Sequence, residues 1–141
     1  RDAMRHVAAT VYAVTTGHDG QRFGIRATAV NSLSFDPPSL LVCINRSASL
    51  HEPMASADTF CVNVLGLGNR DVADCFMKKG TAEDRFAVGD WVEEHGVPVL
   101  ATAQSSLVYR IGARHRENAK PLTYYDGRYI DISEAPDHSL A

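Results

Sequence analysis

Residues 26–34 read RATAVNSLS, and residues 39–49 read SLLVCINRSAS. The first stretch has the length of a β-strand but is made of small, hydroxyl- and amide-bearing side chains. The second is apolar until it stops at Asn45-Arg46-Ser47. If Phe23–Ser34 is one strand, Thr28, Val30, Ser32 and Ser34 line one face and Ala27, Ala29, Asn31 and Leu33 the other. Phe35-Asp36-Pro37-Pro38 then breaks the ladder, because proline has no N–H to donate. Ser39–Asn45 reads as a buried strand. Ser49-x-x-Glu52 has the spacing of a capping box, and Pro53 keeps the helix that follows short.

Outward from this pair the chain keeps to β patterning. VAATVYAVTT (7–16) is β-branched and aromatic, and GHDGQ (17–21) has the glycine and aspartate of a hairpin loop. DTFCVNVLG (58–66) is another strand, and NRDVADCFM (69–77) sets Val72, Ala73, Cys75 and Phe76 at helical spacing. Residues 78–91 read as a charged connection; 103–111 and 122–132 read as closing strands, and 131–141 as a polar tail. About six or seven strands with two short helices and hairpin-length loops favour a closed antiparallel barrel with helical lids.

The 141 residues make one domain spanning 1–141, with a core large enough to need no disulfides or metals. A net charge of −3 leaves no electrostatic footprint for nucleic acid or an anionic membrane, and no apolar run reaches the length of a membrane helix. Cys43, Cys61 and Cys75 are too widely spaced for a metal site and suit reduced, structural thiols of a cytoplasmic protein. No histidine pair has metal-ligand spacing.

Small side chains along RATAVNSLS let another molecule approach the strand backbone, whose N–H and C=O groups become recognition atoms. An edge strand with a polar outer face has the same composition. Asn45, Arg46, Ser47 and Ser49 supply a guanidinium, hydroxyls and amides that suit a phosphate, and a capped helix beside a solvated arginine has that composition too.

The run GIRATAVNSLSFDPPSLLVCINRSAS resembles the central signature of the flavin reductase-like FMN-binding family, whose members supply reduced flavin to two-component monooxygenases. FCVNVLGLGNRDVADCF, DRF (84–86) and PLTYYDGRY (121–129) resemble further family elements, in order. The resemblance spans residues 4–129. It implies an antiparallel split β-barrel of Greek-key type, a homodimer, a partner flavin-dependent monooxygenase, and hydride transfer from NADH or NADPH to FMN or FAD. It assigns Thr28, Ala29, Asn31, Ser32 and Ser34 to the flavin ring and Asn45, Arg46, Ser47 and Ser49 to the ribityl–phosphate end. Arg85 and Phe86 join them from the Arg/Lys-Phe motif.

One departure stands out. The family's Gly-Asp-His or Gly-Ser-His motif after the strand at Ser105–Arg110 has no counterpart, and the segment running into GARHRENAKPL is short. His115 aligns with the stretch after that motif, so no catalytic residue is assigned. A non-catalytic flavin-binding electron carrier on the same barrel is the alternative function.

Overall fold

The computed structural model describes residues 10–27, 30–35, 38–45, 47–78, 80–116 and 122–134, with the backbone alone for 32–35, 38 and 113–134. Thr28, Ala29 and Arg46 therefore lie outside the described residues, as does 135–141.

Seven strands form one antiparallel sheet: β1 (Tyr12–His18), β2 (Gln21–Ala27), β3 (Val30–Phe35), β4 (Pro38–Asn45), β5 (Thr59–Val64), β8 (Ser105–Arg116) and β9 (Leu122–Glu134). Their order is β2-β1-β5-β8-β9-β4-β3, and a separate hairpin pairs β6 (Trp91–Glu94) with β7 (Val97–Leu100). No helix among the described residues is long and apolar enough to cross a membrane.

The antiparallel, mainly β expectation holds, with two corrections. First, the ladder does not close into a barrel among the described residues. Second, Phe23–Ser34 is not one strand. Its halves, β2 and β3, are the two outer strands of the sheet, β2 paired to β1 and β3 to β4. Only residues 28–29 separate them, so the sheet curls until its free edges come within about 11 Å, three trans peptide links. Ala27 thus ends one outer strand and Val30 begins the other.

The β3–β4 hairpin pairs Val30 with Val42, and a register shift between Ser32 and Ser34 interrupts simple alternation there. Pro38 does enter the ladder, as the first residue of β4 opposite Phe35, a position that tolerates a missing donor. The tail assignment is shortened as well. Asp131–Glu134 extends β9 and pairs with Ser105–Val108 of β8.

Two aspartyl- or histidyl-glycine turns close the hairpins. Asp19-Gly20 (φ 51° and 75°) joins β1 to β2, and His95-Gly96 (φ 51° and 79°) joins β6 to β7. Positive φ at both central residues matches the twist of the flanking strands.

The curled sheet wraps one core. Val14, Phe60, Val62 and Tyr109 face Leu40, Val42 and Ile44 across it, and Leu50 and Met54 plug its end from α1 (His51–Ser56). The outer face of β1, β5 and β8 is covered by the β6–β7 hairpin against Cys61 and Val108. Beside it α2 (Arg70–Cys75) and the following turn bring Val72 and Phe76 onto Ala13, Phe86 and Leu100.

Asn63 fastens the hairpin to the sheet. Its side chain is fully buried; Oδ1 accepts from Leu100 N (2.9 Å), Ser106 Oγ (3.1 Å) and Cys61 Sγ (3.4 Å). Its Nδ2 donates to Ala13 O (2.9 Å) and Thr15 Oγ1 (3.2 Å), and Thr15 Oγ1 donates onward to Pro98 O (2.6 Å). A buried amide with its lone pairs and N–H groups met in this way fixes one register.

Candidate functional site

The apolar run of β4 ends at Asn45, whose own side chain turns back to hold Ser47. Asn45 Oδ1 accepts from Ser47 N (2.9 Å) and Ser47 Oγ (2.8 Å), a local turn that competes with further strand. Ala48 N then donates to Asn45 O (2.9 Å), and α1 starts after Leu50. Asn45, Ser47 and Ser49 are all exposed.

The capping box expected at Ser49 does not form, since Leu50 takes the N-cap place without a side-chain bond. Ser49 Oγ instead accepts from Arg85 Nη1 (2.7 Å), which also donates to Gly24 O on β2 (2.6 Å). A guanidinium carries five N–H donors. Those on Nε and Nη2 have no partner among the described residues.

Arg85 reaches this point from the 3-10 turn Glu83–Phe86. Phe86 itself is turned away from the corner, 5% exposed, packed edge-on against Phe76 (5.6 Å between ring centroids) and Trp91 (4.9 Å). Trp91 is a packing residue too: it stacks on Phe76 and its Nε1 donates to Val88 O (2.8 Å). His51, first residue of α1, is buried.

Asn31 is exposed on β3, and Ser32 and Ser34 follow it on the same strand. Because β3 is an outer strand, its second edge has no ladder partner among the described residues, which leaves backbone donors and acceptors for another molecule. Val30 opposite Val42 puts the start of β3 at the same end of the hairpin as Asn45. The fold therefore gathers Gly24, the start of β3, Asn45, Ser47, Ser49 and Arg85 into one corner. Its charge comes from arginine, its remaining groups are small and polar, and no bulky side chain intrudes from Ser47 or Ser49. That donor set fits a phosphate.

Of the cysteines, Cys43 is half-buried on β4, and burial pushes its thiol above the ordinary value, so it stays protonated. Past Arg110, β8 runs on to Arg116, with His115 in register with Tyr124 of β9.

The sequence profile of the flavin reductase like domain matches residues 4–115. The chain belongs to this family. It is 39% identical to the FMN reductase (NADH) RutF of Pseudomonas syringae over 155 aligned positions, covering 96% of this chain and 87% of that protein. Spanning 96% of a 141-residue chain takes 155 positions, so that relative carries residues this chain lacks. Against the RutF of Methylorubrum populi the identity is 42%, over 88% of this chain and 62% of that protein, so the chain spans less than two thirds of that relative. Among solved structures, the NADH:FAD oxidoreductase SgcE6 of Streptomyces globisporus superposes with a TM-score of 0.82 at 28% identity, covering 92% of this chain and 77% of that one.

What the sequence missed is the reach of Arg85 to Ser49, 36 residues away along the chain. A lone arginine before a phenylalanine has no signal of its own; only the resemblance pointed to it.

Proposed function

We propose that this chain is an NADH-dependent flavin reductase that takes FMN, ahead of FAD, as an exchangeable substrate and releases it reduced to a partner monooxygenase. Membership of the family makes it a flavin reductase, with flavin and NADH as its redox pair. FMN ahead of FAD rests on the FMN reductases among the relatives; the observation that carries exchangeable binding is the corner itself, where Asn45, Ser47 and Ser49 stand exposed beside the half-buried Arg85. A phosphate held at the surface by guanidinium groups and hydroxyls suits a cofactor that comes and goes.

Bound flavin supplies the redox chemistry, accepting a hydride from the nicotinamide. The chain's residues bind and orient it. Arg85, Arg46, Ser47, Ser49 and Asn45 hold the phosphate and ribityl end. Thr28, Ala29, Asn31, Ser32 and Ser34 receive the ring, the last three from the open edge of β3. Phe86 anchors the turn that carries Arg85. The homodimer belongs to the same proposal, as does a cytoplasmic setting, which the three free cysteines support.

The test is NADH absorbance decay in air with FMN or FAD added in turn to purified protein, against a blank without protein. Flavin-dependent loss, faster with FMN, is the expected outcome. Flavin that binds on dialysis yet leaves NADH untouched would mean an electron carrier, with the missing histidine motif after β8 as the explanation to test.

A further inference from the structure

Arg85 reaches Ser49 from a turn that is strapped across β2. Arg22 Nε donates to Glu83 Oε1 (3.1 Å) and Oε2 (3.0 Å), and Nη2 makes a further short contact with Oε2. The same guanidinium lies 4.9 Å from the centroid of the Phe86 ring. One side chain of β2 thus grips both ends of Glu83–Phe86, the charged end by a forked ion pair and the aromatic end through its π face. Two residues along β2, Gly24 offers its carbonyl to Arg85 itself. A Cβ there would come within 2.8 Å of Phe76 and 3.2 Å of Phe86, so a side chain at this position would press on both rings.

We propose that Arg22 is a positioning residue for phosphate recognition. Through Glu83 and Phe86 it fixes the strap so that the Arg85 guanidinium stands at Ser49, and so it sets how strongly the site prefers a phosphorylated flavin to one without phosphate. The inference rests on the reading of the corner as the flavin-phosphate site. Arg22 does not touch Ser49, Asn45 or Ser47 in the described hydrogen bonds; its influence passes through Arg85. A residue needed only for folding would weaken every ligand alike, whereas a positioning residue alters the preference between two flavins that differ only in the phosphate.

The experiment measures dissociation constants of FMN and riboflavin by quenching of flavin fluorescence, with melting temperatures alongside. The proteins are the wild type, Arg22→Ala, Arg22→Lys, Glu83→Gln, Arg85→Ala and the double variant Arg22→Ala/Arg85→Ala. Arg22→Ala is expected to weaken FMN about three- to tenfold, the scale of one ion pair plus one cation–π contact, with riboflavin unchanged. Glu83→Gln should shift FMN in the same direction by less, and Arg22→Lys should recover part of the loss. In the double variant FMN should bind no more weakly than in Arg85→Ala alone.

Equal losses for FMN and riboflavin, an unchanged FMN constant, or additive losses in the double variant would each overturn the role of Arg22 while leaving the corner intact. An unchanged FMN constant in Arg85→Ala would instead overturn the phosphate corner, and this inference with it. If Arg22→Ala fails to fold, Glu83→Gln decides: a wild-type ratio of the two constants rejects the strap.

Discussion

Two polar clusters sit on the same curled sheet, and their surroundings differ in every respect that matters. Around Asn63 the polar atoms are buried and matched one to another: amide to carbonyl, hydroxyl to amide oxygen. Around Ser49 they are exposed, one partner is a full charge, and the Arg85 guanidinium has donors left over among the described residues. A satisfied buried cluster specifies structure, since any ligand would have to displace bonds already made. An exposed charged cluster with spare donors holds little of the fold together, because water competes for each of its contacts. It is free to bind something.

Breaking the first cluster should produce the largest effect. Asn63→Leu removes the acceptor of Leu100 N–H and the side-chain donor to Ala13 O in a dry site, leaving Ser106 Oγ only Leu100 O (3.4 Å), at a cost of about 3 kcal/mol. Thermal melts should show Tm lower by about 10 °C. A fall of only a degree or two would mean that the hairpin is held by apolar packing alone.

Arg85→Ala should do the opposite, sparing Tm while weakening FMN about ten- to a hundredfold, the worth of a charge-assisted hydrogen bond. Arg46→Ala should match it in fluorescence titrations. Gly24→Ala joins the two regions: its Cβ would press on Phe76, Thr15 and Phe86. About 1–2 kcal/mol of stability should go, by overpacking, together with part of the FMN affinity. If stability falls and affinity does not, the strap's closeness to β2 is irrelevant to binding.

The smallest effect concerns pH. The hydrogen bond from Arg22 holds the Glu83 carboxyl below its ordinary value, despite some opposing desolvation. The pairing is therefore fully present above the free glutamate value of about 4.3 and is lost as pH falls through the lower folded value. Arg22 is shifted upward by the same bond, so its share would be lost only in strong alkali. Both side chains are substantially exposed, which limits the contribution to about 1 kcal/mol at most. Wild type and Glu83→Gln should differ slightly in Tm at pH 7 and converge as pH falls well below the free glutamate value.

Much of this was readable in the residues, for local reasons. Leu40, Val42 and Ile44 alternate with less buried neighbours and do form the inward face of β4. The Asp19-Gly20 turn carried its usual signature. The β6–β7 hairpin went unseen because His95-Gly96 is a rarer version of that turn and Glu93 and Glu94 before it break the apolar alternation of a strand. The division of Phe23–Ser34 went unseen because composition is continuous across 28–29; only the curl of the sheet separates the halves. At the site, the small residues and the Asn45–Ser49 corner were legible from chemistry, whereas Arg85 came from resemblance. The grip of Arg22 on Glu83 is a contact between residues 61 apart, beyond any local pattern.

The most direct test of the central claim is the ratio of riboflavin to FMN dissociation constants in the wild-type protein and in Arg85→Ala. A phosphate corner predicts FMN bound at least about tenfold more tightly in the wild type, with the preference largely erased in the variant. Equal affinity for the two flavins in the wild type, or a preference untouched by removing Arg85, would contradict it.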